Sequence, residues 1–236
     1  MRCALNIAYN GTLFLGSQSQ TQTPNTILGN LQRVCTQLGI HSKIIASGRT
    51  DKGVHATGQV CHIDLPPFWD NLIKLKKVLN EMLPSSIKVN TIKNVTDNFH
   101  ARYGAKKRIY RYILKEGLSN PFQNDLVTFK KKINFDILEK NIKLFIGIHD
   151  FKQFMKTGSD VNSTQRIIYK AFAYKHKNFV VLNFEANGFL RSQIRLMVGA
   201  LLQLHQEQIK EQLLCIDSHK IKPAPSNGLY LAKIKY

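Results

Sequence analysis

Acidic residues are scarce in this chain: 15 Asp and Glu stand against 34 Lys and Arg in 236 residues, a formal net charge of +19. That excess is more than a small soluble protein needs for solubility, and it points to a polyanion as partner. The few acids form no cluster, which argues against a metal-dependent nuclease, whose chemistry needs several carboxylates together. The eight histidines include no H-E-x-x-H or comparable ligand spacing, so no catalytic metal is expected. The four cysteines, Cys3, Cys35, Cys61 and Cys215, form no C-x-x-C pair, and each sits in an apolar pattern where a thiol packs as a small hydrophobe. Disulfides and structural zinc are therefore not expected either. There is no apolar span, basic amphipathic helix or lipid-anchor motif to suit a membrane, which favours a nucleic acid as the polyanion. The opening "MRCALNIAYNG" has one early arginine and an apolar stretch interrupted by Asn6 and Asn10, unlike a secretory signal. A cytosolic protein is the expectation.

What is present is an ordinary core-forming share of apolar residues, 43%, arranged as a mixture of strand and helix patterns. The strand "CALNIAY", a turn-rich loop over 10–25 and a helix from Thr26 to Leu38 come first. The short strand "KIIA", the loop "SGRTDKGVHAT" and the strand "GQVCHIDL" follow; in the last of these Cys61, Ile63 and Leu65 alternate with His62 and Asp64. A helix from Trp69 to Met82 and a strand in "SSIKVNTIKNV" complete the first half. The second half opens on "FHARYGAKKRIYRYIL", where Arg108, Tyr110 and Tyr112 share one strand face and Ile109, Arg111 and Ile113 the other. It continues with a helix from Phe135 to Ile146, a loop over 154–166, strands "IIYKAFAYK" and "NFVVLNFEA", a helix from Phe189 to Gln206 capped by Asn187, and a closing strand "LYLAKIKY". The pattern predicts an α+β architecture of two α/β halves, 1–105 and 106–236, with mainly antiparallel or mixed sheets flanked by helices.

Three constellations can carry chemistry. Asp51 is a lone carboxylate between Arg49 and Lys52, and Gly48 and Gly53 near it permit close ligand approach or unusual backbone angles. An aspartate there can equally stabilise a tight loop through side-chain to backbone hydrogen bonds. Gly53 is followed by valine, so the segment is not a phosphate-binding P-loop. Tyr110 lies among Lys106, Lys107, Arg108 and Arg111, where a ring can stack on a nucleobase or simply fill a core. In "ANGFLRSQIRLMVGALLQL", Ile194, Val198, Leu201 and Leu204 make an apolar stripe with Arg191 and Arg195 beside it. A buried arginine needs a carboxylate partner, which makes Arg195 a candidate partner for Asp51; a stem lying along the helix with its charge in water is the other reading.

Taken in order, these pieces resemble the tRNA pseudouridine synthase A family along nearly the whole chain. Gly48, Arg49, Thr50, Asp51, Gly53, Val54, His55, Gly58 and Gln59 match that family's catalytic signature, and "FHAR" at 99–102, "YRY" at 110–112, "IRLMVGAL" from Ile194 and "APSNGLYL" follow in sequence. The resemblance implies the pseudouridine synthase fold with a central basic RNA-binding cleft, and an isomerase of uridine at nucleotides 38, 39 and 40 in the tRNA anticodon stem-loop. It implies a homodimer, tRNA as partner, and no cofactor. By position it makes Asp51 the catalytic aspartate, Arg49 an arginine that helps expel the target base, Tyr110 the active-site tyrosine, and Arg195 the arginine paired with the aspartate. His55, Gln59, Arg102 and Arg108 join Arg49 and Tyr110 as expected substrate contacts. Ser17 departs from the aromatic usual in the family and Leu28 from a glutamine, and "SDVNSTQR" keeps Ser163, Thr164 and Arg166 only loosely in pattern. A non-catalytic RNA-binding protein and a pseudouridine synthase reading another RNA fit the same charge.

Overall fold

The first strand, β1 (Arg2–Tyr9), alternates as its sequence predicts, with Cys3, Leu5, Ile7 and Tyr9 buried and the residues between them half-buried. In the computed structural model, which describes residues 1–20, 23–158 and 161–236, the chain divides into two compact units, 1–106 with 230–236 and 107–229. Each combines strands with helices, the α+β class expected. Residues 21, 22, 159 and 160 of the two long loops lie outside the described residues.

In the first unit, β2 (Ile45–Ala46), β3 (His55–Asp64) and β4 (Ile87–Asn94) join β1, with β1 antiparallel to both β3 and β4. The closing strand (Leu229–Lys235) adds to β3 in parallel, pairing Tyr230 with His55 and Leu231 with Ala56. The strand that the sequence leaves in the second half therefore ends beside the first. Helix α1 (Ile27–Gln37) begins where Thr26 caps it, its hydroxyl accepting from the Gly29 N–H at 3.0 Å, and buries Ile27, Leu28, Leu31, Val34 and Cys35. Helix α2 (Leu72–Met82) starts later than Trp69 because Asn71 takes the cap, accepting from the Lys74 N–H at 2.9 Å.

In β3 the alternation expected of Cys61, Ile63 and Leu65 with His62 and Asp64 fails at His62. His62, expected on the outer face, is buried because residues 99–101 cover it: its Nδ1 accepts from the Ala101 N–H at 3.1 Å, and its ring meets those of Phe99 and His100. Asp64 does stay outside, held by Arg2 through two bonds of 2.8 and 3.0 Å.

The second unit is built on β5 (Lys107–Glu116), β6 (Thr128–Lys130), β7 (Gly147–Asp150), β8 (Gln165–His176) and β9 (Phe179–Ala186). They run in the order β5, β9, β8, β7, all antiparallel, with β6 alongside β5 in parallel. The Tyr110, Tyr112 and Leu114 face of β5 is buried, so this tyrosine pair belongs to the apolar side of the strand. Helix α3 (Phe135–Asn141) continues as a 3₁₀ turn to Phe145, close to the span expected. The helix expected over Phe189–Gln206 is shorter and is followed by another: α4 (Gln193–Gln203) and α5 (Gln206–Leu213), divided at Leu204 and His205. Asn187 does not cap α4; its side chain accepts from the Ile167 N–H at 3.1 Å and ties β8 to the end of β9. Ser192 precedes the helix at φ 59°, and Gln193 reaches back to accept from the Leu190 N–H at 2.8 Å. The short β6 and β7 and the helix α5 had no counterpart in the sequence reading.

Three of the cysteines are buried as expected, and burial pushes the Cys35 and Cys61 thiols up to about 12. Cys215 is the exception, exposed on a turn at φ 56°. Among the described residues no helix is long and apolar enough to cross a membrane.

The placement of His62 has a pH consequence. Burial, then the charges of His100 and Arg2, lower its pKa below the ordinary histidine value of 6.5, with Asp64 opposing. The unfolded chain then takes up the proton first, so this contribution to stability is complete above about pH 6.5 and is lost as pH falls toward the lower folded value. His62→Asn keeps an acceptor for the Ala101 N–H and cannot titrate. Thermal unfolding between pH 7 and pH 5 is expected to show a smaller loss of stability in this variant than in the parent.

Candidate active site

Asp51 sits on a loop whose backbone is fixed on both sides. The Asp51 C=O accepts from the Val54 N–H at 3.1 Å, closing a turn in which Gly53 adopts φ 77°, the left-handed region that favours glycine. The preceding residue, Thr50, is held by three groups. Its N–H donates to the Ser17 hydroxyl at 2.8 Å, its C=O accepts from the Ser17 N–H at 3.1 Å, and its hydroxyl bonds the Tyr9 phenol at 2.8 Å. Ser17 is only 2% exposed. Beside it Gly16, at φ 106°, lies so close that a Cβ would meet the Thr50 carbonyl oxygen at 3.2 Å. Segment 11–17 is thus a strap over the Asp51 loop. The strap is tied in turn to α1, whose first N–H groups, those of Ile27 and Leu28, donate to the carbonyls of Gly16 and Ser17 at 3.3 and 2.9 Å. Leu28 itself is buried in α1.

Two expected substrate contacts lie inside this framework. His55 accepts from the Gly11 N–H at 3.1 Å through Nδ1 and stacks its ring on Tyr230 at 4.6 Å. Gln59 donates to the Gly48 carbonyl at 2.9 Å while its Oε1 accepts from the Ser47 hydroxyl. Both are 1% exposed, and these bonds shape the loop. Arg49 is exposed and Asp51 half-buried. Arg102 is exposed on the "FHAR" turn, its guanidinium 5.8 Å from the ring centroid of Tyr103.

The second unit carries the other candidates. Tyr110 is buried on β5 and meets Phe189 edge-on, with ring centroids 5.3 Å apart. Arg108, two residues earlier on the same face, donates to the Asn187 carbonyl at 2.7 Å. Arg195, on α4, donates through Nε to the Ala224 carbonyl at 2.7 Å, and its own carbonyl accepts from the Ala224 N–H at 2.8 Å. Tyr112, not singled out for chemistry by the sequence, bonds Thr128 at 2.7 Å and donates to the Pro225 carbonyl at 2.8 Å. Burial raises its pKa strongly, against the opposing influence of the Thr128 bond and the nearby Arg195 charge. Its phenol therefore stays protonated and works as a tether for segment 224–227, where Asn227 also donates to the Val127 carbonyl at 3.0 Å. In the other loop, Arg166 folds back to the carbonyl of Ser163 at 2.8 Å, and burial lowers its pKa.

Among the described residues one group could offer three ligand atoms to a metal: Glu211, Asp217 and His219, within 4.8 Å of one another. It includes a His219 to Glu211 pair at 2.8 Å at the end of α5.

A family model described as tRNA pseudouridine synthase matches residues 6–104 and 142–236. Asp51, Arg49, His55, Gln59, Arg102 and Arg195 fall inside the matched stretches, and Arg108 and Tyr110 fall between them. A protein named tRNA pseudouridine synthase A from Campylobacter jejuni strain RM1221 is 36% identical over 241 residues, covering 100% of both chains. One of the same name from Helicobacter pylori strain 26695 is 37% identical over 248 residues, again covering 100% of both. A third, from Wolinella succinogenes, is 38% identical over 235 residues, covering 98% of this chain and 92% of its own.

The strap gives a direct expectation. Ser17→Ala leaves the buried Thr50 N–H without its acceptor, a loss of about 1–3 kcal/mol. The Thr50 amide is expected to exchange with solvent faster by a corresponding factor in hydrogen-exchange measurements, while amides of β1 stay protected.

Proposed function

The chain belongs to the tRNA pseudouridine synthase family, and from that premise we propose that it isomerises uridine to pseudouridine at nucleotides 38, 39 and 40 of the tRNA anticodon stem-loop, with Asp51 as the catalytic carboxylate. The observation that carries this reading is the Asp51 loop: an acid between two cations, its backbone fixed by Ser17, Tyr9 and Gly53. Relatives named tRNA pseudouridine synthase A, 36% and 37% identical with 100% of both chains covered, support the RNA class of substrate. The working form is read as a homodimer, as the resemblance implies, and as cytosolic, as the sequence pattern suggests.

The reaction breaks the bond from ribose to the uracil nitrogen, turns the base, and joins the ribose to a ring carbon; that carbon then gives up its proton while the freed ring nitrogen takes one up, so the product is an isomer. No atom or electron is gained, so one ionised carboxylate suffices as nucleophile on sugar or base, or as base for a sugar proton on a glycal route. A paired uridine must first leave its stack, at a cost of a few kcal/mol. Exposed Arg49 is suited to fill the space it vacates. Tyr110 and Arg195 take the roles the resemblance gives them, the ring beside the flipped base and the cation that favours the charged carboxylate.

The test is to incubate the protein and Asp51→Ala with an unmodified tRNA transcript and map pseudouridine by carbodiimide-dependent primer-extension stops. Stops at the anticodon-stem uridines with the parent, and a rate lower by more than about a thousandfold in the variant with tRNA binding retained, are expected. Loss of binding in step with activity would make Asp51 structural; tight binding with no product from either protein would leave an RNA binder. Affinity is also expected to fall steeply with salt, log K against log[salt] having a slope near −0.9 for each phosphate neutralised. A flat response in filter binding would remove the electrostatic part of this reading.

A further inference from the structure

The "FHAR" turn presents a feature that none of the roles above uses. Tyr103, the residue that follows it, is 79% exposed, yet its ring is held in place. His100 stacks on it with centroids 4.4 Å apart and planes 27° from parallel. The same His100 accepts from the Arg102 and Tyr103 N–H groups through Nδ1 at 3.2 and 3.1 Å, and its carbonyl accepts from the Gly104 N–H at 2.9 Å. Behind it the turn is anchored twice: the Ala101 N–H donates to buried His62, and the Ala101 carbonyl accepts from the Tyr236 phenol at 2.8 Å.

An exposed aromatic ring is ordinarily free to change rotamer, and this one is backed by another ring on a turn with its polar groups satisfied. Arg102 lies with its guanidinium 5.8 Å from the ring centroid, and Lys106, beyond Gly104 and Ala105, is exposed. A largely exposed ring with a guanidinium near it and an exposed lysine on the same segment suits a nucleobase and its phosphates. It suits an unpaired base, because the faces of a base inside a helix are already occupied by its neighbours. Resting on the reading of the chain as a tRNA-modifying enzyme, we propose that Tyr103 is a stacking platform for an unpaired nucleobase of the RNA substrate, with Arg102 and Lys106 engaging the adjoining phosphates. Stacking is tolerant of base identity, so the platform adds grip and register without a sequence preference of its own.

Filter binding of an unmodified tRNA transcript to Tyr103→Ala, Tyr103→Phe and Lys106→Ala tests this, with the melting midpoint of each variant checked. Tyr103→Ala is expected to weaken binding about tenfold or more and to raise KM for tRNA, and Tyr103→Phe to stay within about twofold of the parent. The salt slope separates the terms: unchanged in Tyr103→Ala, and shallower by about one in Lys106→Ala. Parental affinity in Tyr103→Ala overturns the proposal, as does equal weakening in Tyr103→Phe, which would assign the effect to the hydroxyl. A change in oligomeric state in Tyr103→Ala also overturns it, by making this face an interface between copies. If the parent modifies tRNA and Tyr103→Ala binds it equally well, only the platform falls; if the parent makes no pseudouridine, the assigned reaction falls instead.

Discussion

A loop that presents a carboxylate has to satisfy its own backbone groups without a strand ladder, and here the pair of Thr50 with Ser17 meets that demand. The Ser17 hydroxyl and N–H serve the N–H and C=O of Thr50, the residue immediately before Asp51. The strap holding Ser17 draws its order from α1, because the first N–H groups of that helix need acceptors and find them at Gly16 and Ser17. The capped start of a helix is thereby converted into a fixed position for Asp51. The departure at Ser17 makes physical sense in this setting: a small hydroxyl is at once buried and hydrogen-bonded to the loop, which an aromatic side chain cannot be in the same space.

The aromatic residues divide by burial into different kinds of work. Tyr112 is buried to the point that its phenol stays protonated, and it ties segment 224–227 to β5 and β6. Tyr110 faces the same side and meets Phe189 edge-on, an arrangement that restricts its ring. Tyr103 has the opposite setting, outside and backed by His100. Three tyrosines within ten residues thus serve as tether, restrained ring and open surface, and only their surroundings tell them apart.

Those surroundings mark the limit of what the sequence made legible. Strands with strict alternation, such as β1, and the helix after Thr26 followed directly from period and cap, since both signals are local. His62 broke the alternation of β3 because its cover comes from residues 99–101, distant along the chain. Asn187 looked like a helix cap by spacing and instead bonds Ile167, a partner that only strand pairing brings near. The Asp51 motif and Arg195 were visible as residue types in order, whereas the strap around Thr50 was not, because a serine in a polar loop carries no periodic signal. His55 and Gln59 were legible as signature residues, whereas the loop bonds they make to Gly11 and Gly48 were not, because those partners are distant along the chain.

The charge of +19 and the order of the Asp51 loop answer separate needs. Long-range attraction concentrates any polyanion at the surface and is indifferent to which phosphate arrives first. An isomerisation that imports no reagent draws its rate from placement, because the bond broken and the bond formed share one sugar carbon and the base must turn in place. Exposed cations such as Arg49 and Arg102 can adapt to the RNA as it arrives. In the role proposed for it Asp51 gains nothing from such freedom, and the hydrogen bonds that hold Thr50 are the means by which this chain limits it.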